Sequence, residues 1–328
     1  MKLFRPLLFL VLLATTADAS AIGHGPAARL MARCEAVLYE EKCSLGLEDA
    51  LTDPEKTGLI GVEFSPLTTS QGHLPDKQAS ARPIMADVVA EYLRRAGVGE
   101  GDWVAVNASA SFPGFILASL CVVESMGANA QVVFSYGASM YGGTDPEFTF
   151  PVMLDLLNRE GLLSTRLAAV APGGAGDQMA ETLLEDPRPT VDLLLASRSE
   201  ERIYAPDVAE AIRRRLEIFD DAPRAVKCFI SCGGPVVALG KTEAVLELPH
   251  GLITRFEPIP KDPERGLLFD FLDRGIPVLH LLFVRGICDD FGIPYERVEG
   301  RETDGPPHIS RLRVSHIPND SKKELYPS

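Results

Sequence analysis

Short apolar runs alternate with amphipathic helical segments along most of this chain, and this alternation restricts its fold more than any other feature. The runs have strand length and are nearly continuous in aliphatic residues, which is typical of parallel strands covered on both faces. We predict strands over residues 103–107, 130–135, 167–171, 191–196, 226–231 and 276–282. We predict helices before and between them over 84–96, 113–126, 150–160, 177–185, 206–219 and 264–274. The pattern predicts an α/β fold with an open, mostly parallel sheet and helices on both faces, preceded by an N-terminal helix.

The same alternation sets the domain boundaries. No Pro-, Gly- or Ser-rich linker interrupts it, so we predict a single α/β domain over residues 55–297. The preceding segment, residues 20–54, has a helical pattern with Leu30, Val37 and Leu38 on one side. Residues 298–328 are polar and Pro-rich without a periodic apolar face, which predicts a disordered tail.

The first 19 residues have the pattern of an export signal. Lys2 and Arg5 precede an apolar run, and Ala17-Asp18-Ala19 resembles a cleavage site, so the mature chain is expected to start near Ser20. The alternative is an uncleaved membrane anchor. The apolar segment over 7–17 is roughly half the ~20 residues that a membrane span requires, which favours cleavage. We therefore expect an exported protein of the periplasm or cell envelope.

Charge and cysteine content restrict the partners and the cross-links. The chain has 32 Lys+Arg against 46 Asp+Glu, a net charge of −14, and no long basic run. Nucleic-acid binding needs a basic face and is excluded, so any anionic ligand must be bound by a few local groups. The six cysteines are predicted to be buried thiols. Cys34 and Cys43 lie too far apart on one helix to bridge, whereas a bridge between Cys228 and Cys232 is conceivable.

Small and hydroxylated residues directly follow four of the predicted strands. In an open α/β sheet the carboxyl ends of the strands line the ligand crevice, where helix N-terminal amides attract anions. Taken together the four loops predict one anion-binding site with positive charge from two lysines, although any single loop could be only a tight turn. The predicted ligand-binding residues are Thr68, Thr69, Lys77, Ser139, Gly173, Gly174, Gly233, Gly234 and Lys241.

Two serines are candidates for a catalytic nucleophile. Ser109 and Ser111 stand where a strand turns into a helix, the position of the nucleophile in many hydrolases. The segment 107–111 lacks both glycines of the G-x-S-x-G motif, so the motif itself is absent. A binding role, in which the hydroxyls hold a carboxylate or phosphate, is the alternative.

Acid–base candidates are few. Asp177 could act as a general base or metal ligand, although an Asp that opens a helix is typically an N-cap. Asp145, before a proline, fits a turn. His280 in the last strand could face the crevice or be a core residue. Neither an H-E-x-x-H motif nor a phosphate-binding G-x-x-x-x-G-K-[ST] loop is present, so no cofactor is predicted.

Four segments resemble a known family. They are Gly58-Leu-Ile-Gly-Val-Glu-Phe-Ser-Pro-Leu-Thr-Thr69, Ala108-Ser-Ala-Ser-Phe-Pro-Gly114, Gly137-Ala-Ser-Met-Tyr-Gly-Gly-Thr-Asp-Pro146 and Gly275-Ile-Pro-Val-Leu-His-Leu-Leu282. In content and order they resemble the poly-gamma-glutamate system protein family over roughly residues 25–297. The resemblance implies a role in synthesis or export of a poly-gamma-glutamate capsule, with the polymer or its synthase and export complex as partner. It does not imply a defined reaction.

Two functions from different classes follow. The first is an exported accessory protein that binds an anionic ligand or polymer at the carboxyl ends of the strands. The second is a hydrolase or transferase that trims, releases or attaches poly-gamma-glutamate with a serine nucleophile. A hydroxyl and a base within hydrogen-bond distance would favour the enzyme, and hydroxyls without a base would favour binding.

Overall fold

The structure is a computed structural model that describes residues 23–180, 183 and 186–296. The predicted signal peptide, its cleavage site and the predicted disordered tail lie outside the described residues. Helices occupy α1 Pro26–Ser44, α2 Leu74–Ser80, α3 Ile84–Arg95, α4 Pro113–Met126, α5 Phe150–Arg159, α6 Arg188–Ala196, α7 Val208–Asp220, α8 Val236–Leu239, α9 Leu267–Asp273 and α10 Val284–Asp290. Strands occupy β1 Thr68–Ser70, β2 Trp103–Ser109, β3 Asn129–Ser135, β4 Ala138–Ser139, β5 Leu167–Ala171, β6 Glu201–Arg202, β7 Val226–Cys232, β8 Gly251–Ile253 and β9 Val278–Leu281.

Seven of these strands form one open sheet in the order β6-β5-β3-β2-β7-β9-β8. Every neighbouring pair is parallel except β8, which runs antiparallel to β9. The predicted fold class is thereby confirmed. From β2 the chain builds the sheet first through β3 and β5, and then returns to the other side of β2 with β7. The strand order reverses between β2 and β7, which is where ligands bind in open α/β sheets.

Helices cover both faces of the sheet and define two core layers. On the first face, α1, α3, α4 and α5 pack over Val104, Val106 and Ala108 of β2. On the second face, α7, α8 and α9 pack over Ala105 of β2 and Phe229 of β7. Because side chains alternate along a strand, the residues two and four positions after Ala105 also face the second layer.

The N-terminal helix α1 belongs to the first-face core. Met31, Cys34 and Leu38 are buried against α3 and α4. The Asp87 carboxylate accepts hydrogen bonds from the backbone N–H of Gly23 at 2.7 Å and of Gly25 at 2.8 Å, which fixes the entry to the helix. Within the N-terminal helical segment predicted over residues 20–54, helix α1 therefore packs directly on the α/β layers.

The cysteines, all six within the described residues, are free thiols, of which Cys43 is exposed and the other five are buried. Cys34 and Cys121 come closest, with their Sγ atoms 4.0 Å apart. None of the helices in the described part of the chain has the length and apolarity to cross a membrane.

Two predicted elements are wrong. Residues 191–196 form the end of helix α6 rather than a strand, and Leu193 in that apolar run is 73% exposed. A proline in the first turn of α6 favours the helix, and the run is not covered on both faces as a central strand would be. The predicted helix over 177–185 is also wrong at its start. Asp177 is the last residue of a 3₁₀ turn, Ala175–Asp177, and the two residues directly after it form a β-bridge and a turn.

Candidate functional site

A lysine and two serines meet at the carboxyl edge of the sheet. The Lys77 Nζ on α2 donates hydrogen bonds to the Ser139 Oγ at 2.7 Å and to the Ser111 carbonyl at 2.5 Å. The Ser111 Oγ in turn accepts from the backbone N–H of Ser139 at 3.0 Å. We call Lys77, Ser111 and Ser139 the lysine–serine cluster. It joins α2, the turn between β2 and α4, and β4.

Local backbone geometry holds Ser139 in the lysine–serine cluster. Strand β4 pairs in parallel with β1, which places Ser139 beside Ser70. Gly137 precedes β4, and a Cβ there would lie 2.4 Å from the backbone nitrogen of Gly174, so only glycine allows this approach. The Gly143 N–H donates to the Ala110 carbonyl at 2.6 Å and holds the loop after β4 against the turn between β2 and α4.

Lys77 is in an unusual electrostatic environment. It is only 2% exposed, and in the described part of the chain both hydrogen-bond acceptors of its Nζ are uncharged. The Nζ also lies 3.7 Å from the centroid of the Phe112 ring, a cation–π contact. Burial lowers the pKa of Lys77 to about 7, against an opposing effect of Asp76. Near neutral pH the Lys77 amine is therefore unprotonated in a large fraction of the molecules, and in this form it can accept a proton.

Ser109, a predicted nucleophile, lies apart from this base. It is 2% exposed, and its Oγ accepts from the backbone N–H of Ser111 at 3.3 Å. Its position two residues after Asn107 puts it on the second face of the sheet, where a Cβ on Gly233 would lie 3.7 Å from the Ser109 Oγ. Among the described residues the hydrogen-bond partners of the Lys77 Nζ are Ser111 and Ser139, so Ser109 does not belong to the lysine–serine cluster.

Asp177 forms a buried ion pair instead of an N-cap. Its carboxylate accepts from the Nη1 of Arg215 at 2.7 Å and from the Nη2 at 2.9 Å, with both side chains inaccessible to solvent. The Arg215 Nη2 also donates to the Ser135 Oγ at 3.0 Å. The pair links α7 to the end of β3. Because the guanidinium occupies the carboxylate, Asp177 is not a free general base for the lysine–serine cluster.

His280 lies within β9 and faces the second layer. It is 4% exposed, and its Nδ1 lies 3.3 Å from the Pro249 carbonyl. Burial lowers the pKa of His280 to about 4, so the imidazole is neutral at pH 7. His280 is thus one of several buried polar residues on the second face and does not belong to the lysine–serine cluster.

Two further predicted residues carry charge elsewhere. Lys241 lies between α8 and a 3₁₀ turn, Glu243–Glu247, and its Nζ pairs with Glu264 at 2.8 Å on the surface. Asp145 lies 3.3 Å from the Nζ of Lys42 in a buried pair. The charge predicted from Lys241 is therefore already neutralised by a neighbour.

The remaining predicted residues have mainly structural contacts. The Thr68 Oγ1 accepts from the Ser65 N–H at 2.9 Å, and the Thr69 Oγ1 donates to the Ala138 carbonyl at 3.1 Å. Gly174 adjoins Thr69, since a Cβ there would lie 2.9 Å from the Thr69 Cγ2. Gly173 and Gly233 have positive φ angles of 75° and 89°. Gly234 follows Gly233 in the loop after β7.

Four polar residues near the strand ends were not predicted as site residues. They are Asn107, Ser135, Arg215 and Ser231, all buried on the second face. A period of two along each strand would have indicated three of them, because each lies two positions after an apolar residue of the second-face core. Arg215 falls four residues after buried Ala211 and four before buried Phe219, so helical spacing singles it out from its exposed neighbours.

Comparison with known proteins does not identify the chain. No family model matches it, and no curated protein or solved structure does so either. Within residues 23–180, 183 and 186–296, no group of three or more His, Cys, Asp or Glu side chains is placed to hold a metal ion. The geometry of the lysine–serine cluster is therefore the basis for a functional proposal.

Proposed function

We propose that this protein is a hydrolase or transferase of the acyl class, with Ser139 as nucleophile and Lys77 as its general base. The observation that carries the proposal is the 2.7 Å distance between the Lys77 Nζ and the Ser139 Oγ. Serine–lysine pairs are a known variant of serine nucleophile activation. The sequence alone predicts Lys77 only as a source of positive charge, whereas this proposal makes it the general base.

The reaction follows from the positions of these two atoms. With Lys77 unprotonated, the Ser139 hydroxyl transfers its proton to the Nζ as the Oγ attacks an acyl carbonyl. The lysine then returns the proton to the departing amine or alcohol, which leaves an ester on Ser139. Water completes a hydrolysis, and an incoming amine completes a transfer. Helix α4, which has 14 residues, begins two residues after Ser111. We expect the positive end of its dipole to favour the negative charge that develops on the substrate carbonyl oxygen.

The proposed substrate is poly-gamma-glutamate, and this part of the proposal rests on the resemblance. Three of the four resembling segments contribute to the lysine–serine cluster or border it: 58–69 ends in β1, 108–114 holds Ser111, and 137–146 holds Ser139. The polymer carries one carboxylate per residue. Since the chain has a net charge of −14, we expect it to contact a short stretch of polymer rather than a long one.

A binding function without catalysis is the second candidate. The observation that favours it is that Lys77 has only uncharged hydrogen-bond acceptors in the described part of the chain. A carboxylate of the polymer could supply the missing counter-charge and keep the lysine protonated. In that case the protein is an accessory of capsule synthesis or export, and the serines hold the ligand through hydrogen bonds.

One assay separates these two functions. We expect the purified mature chain to shorten poly-gamma-glutamate, or to transfer it to an added amine, with product formation followed by size-exclusion chromatography. The initial rate should rise with pH and be half-maximal near pH 7, because only unprotonated Lys77 accepts the serine proton. Stable binding of the polymer with no change in chain length would instead establish the accessory function.

Export is a separate proposal with its own test. We propose that the protein acts in the periplasm or cell envelope after cleavage of residues 1–19. N-terminal sequencing of the protein isolated from an envelope fraction is expected to begin near Ser20. Recovery of an intact Met1 in washed membranes would favour the anchored alternative, and recovery in the cytoplasm would contradict export.

A further inference from the structure

A row of buried polar side chains crosses three adjacent strands on the second face of the sheet. Asn107 of β2 pairs in register with Ser231 of β7, which pairs in register with His280 of β9. Each lies two residues after an apolar residue of the second-face core, so all three side chains project from the same face. We call Asn107, Ser231 and His280 the polar row. Its residues are at most 4% exposed.

Several atoms of the polar row lack partners. Neither the Asn107 Oδ1 nor its Nδ2 makes a hydrogen bond to any described residue, and the same holds for the His280 Nε2. Because the Pro249 carbonyl can only accept, the hydrogen of the neutral imidazole lies on Nδ1, and Nε2 is an acceptor. The Ser231 Oγ donates to the Gly233 carbonyl at 3.2 Å and keeps lone pairs free.

Such groups are costly to bury without partners. A buried amide that makes no hydrogen bond loses its contacts with water and gains none in return. The fold does not need these groups, since the same strands bury Ala105 and Phe229 on this face. A polar row with an open donor and two open acceptor positions is therefore expected to have an occupant.

Charge and span limit what the occupant is. The imidazole of His280 is neutral, and Arg215, a buried cation on the same face, is already paired with Asp177, so the polar row offers no net charge to an ion. Adjacent strands lie about 4.8 Å apart, which puts Asn107 and His280 roughly 10 Å from each other across Ser231. A single water or amide group is too short to reach both ends. A molecule with several neutral hydroxyls can donate to Nε2 and Oδ1 and accept from Nδ2.

We propose that the polar row is a binding site for a neutral polyhydroxylated ligand, a polyol or sugar, at the switch point between β2 and β7. This site is independent of the proposed hydrolase function. It lies on the opposite face of the sheet from the first-face core. The loop that begins at Gly233 follows Ser231 at the end of β7, and a Cβ on Gly233 would lie 3.7 Å from the Ser109 Oγ.

The test uses glycerol and D-glucose as probes with saturation-transfer NMR on the full mature chain. We expect transfer from the wild-type protein to at least one probe, and a reduction of at least tenfold in Asn107→Leu, which removes the donor and the acceptor at similar volume. Ser231→Ala is the milder variant, chosen in case the leucine disturbs the fold, and should weaken transfer severalfold. Ser125→Ala on α4 is the matched control and should leave the transfer unchanged, because among the described residues the Ser125 hydroxyl bonds only to the Val122 carbonyl.

Three results would overturn the proposal. They are the absence of transfer to both probes, equal transfer in wild type and Asn107→Leu, and a crystal structure grown with the probes that shows only separate waters at these atoms. Ser139→Ala should retain probe binding. Loss of polymer turnover with intact probe binding would therefore concern the lysine–serine cluster alone.

Discussion

Replacing Ser139 with alanine is expected to reduce turnover of poly-gamma-glutamate by about 10³-fold or more while polymer binding is retained. The alanine removes the attacking oxygen, and no other hydroxyl oxygen in the described part of the chain lies in hydrogen-bond contact with the Lys77 Nζ. Initial rates from size-exclusion chromatography and affinity from co-sedimentation measure the two effects separately.

Variants of Ser111 and Lys77 test whether the loss of turnover is specific to the Lys77–Ser139 pair. Ser111→Ala keeps the Lys77–Ser139 pair and removes only the acceptor for the Ser139 N–H, so we expect a loss of about tenfold or less. Lys77→Arg keeps a positive charge but cannot accept a proton, and it should be as inactive as Ser139→Ala. Full activity in Ser139→Ala with loss in Ser109→Ala or Ser111→Ala would instead identify the nucleophile as the last residue of β2 or a residue of the turn after it.

Replacing Lys77 with methionine is expected to change how the stability of the protein depends on pH. Burial lowers the pKa of Lys77 in the folded state to about 7, whereas the unfolded chain keeps the ordinary value of 10.5. Between these values the unfolded state binds more protons, so the free energy of unfolding of the wild type rises with pH. The shift corresponds to about 5 kcal/mol over this range. Lys77→Met lacks this contribution.

Urea unfolding of both proteins at several pH values measures the effect. We expect the methionine variant to gain stability relative to the wild type below pH 7, and the difference to shift toward the wild type as pH rises to 10. Comparing the two proteins cancels the titration of tyrosines and cysteines elsewhere. If the free energies of unfolding of the two proteins differ by a constant amount from pH 6 to 10, Lys77 keeps an ordinary pKa. That result would also contradict the proposal that Lys77 acts as a general base.

The sheet could be predicted from the sequence because its central strands are buried on both faces. The runs at 103–107, 130–135, 167–171 and 226–231 lie within β2, β3, β5 and β7, and 276–282 contains β9. The sheet edges could not be predicted in this way. Strand β6 consists of two exposed charged residues without any apolar signal, and α6 carries an apolar run that lies partly in solvent.

For the candidate site, the sequence indicates the position more fully than the proposed chemistry. Loop composition indicated the carboxyl edge of the sheet, and Lys77, Ser111 and Ser139 do come together there. The role proposed for Lys77 depends on its burial and on acceptors from two other segments, which spacing along the chain does not encode. The same applies to Asp177, whose partner Arg215 lies 38 residues away in sequence.

The two-residue strand β6 also affects how the protein behaves at high concentration. An exposed sheet edge invites a strand from another molecule, and long apolar edges lead to aggregation. Here the edge offers only Glu201 and Arg202, and Glu201 is also paired with Arg214 of α7. An incoming chain would gain few backbone hydrogen bonds and would meet charges of both signs. On this side the sheet is therefore protected against growth into fibres or edge-to-edge dimers.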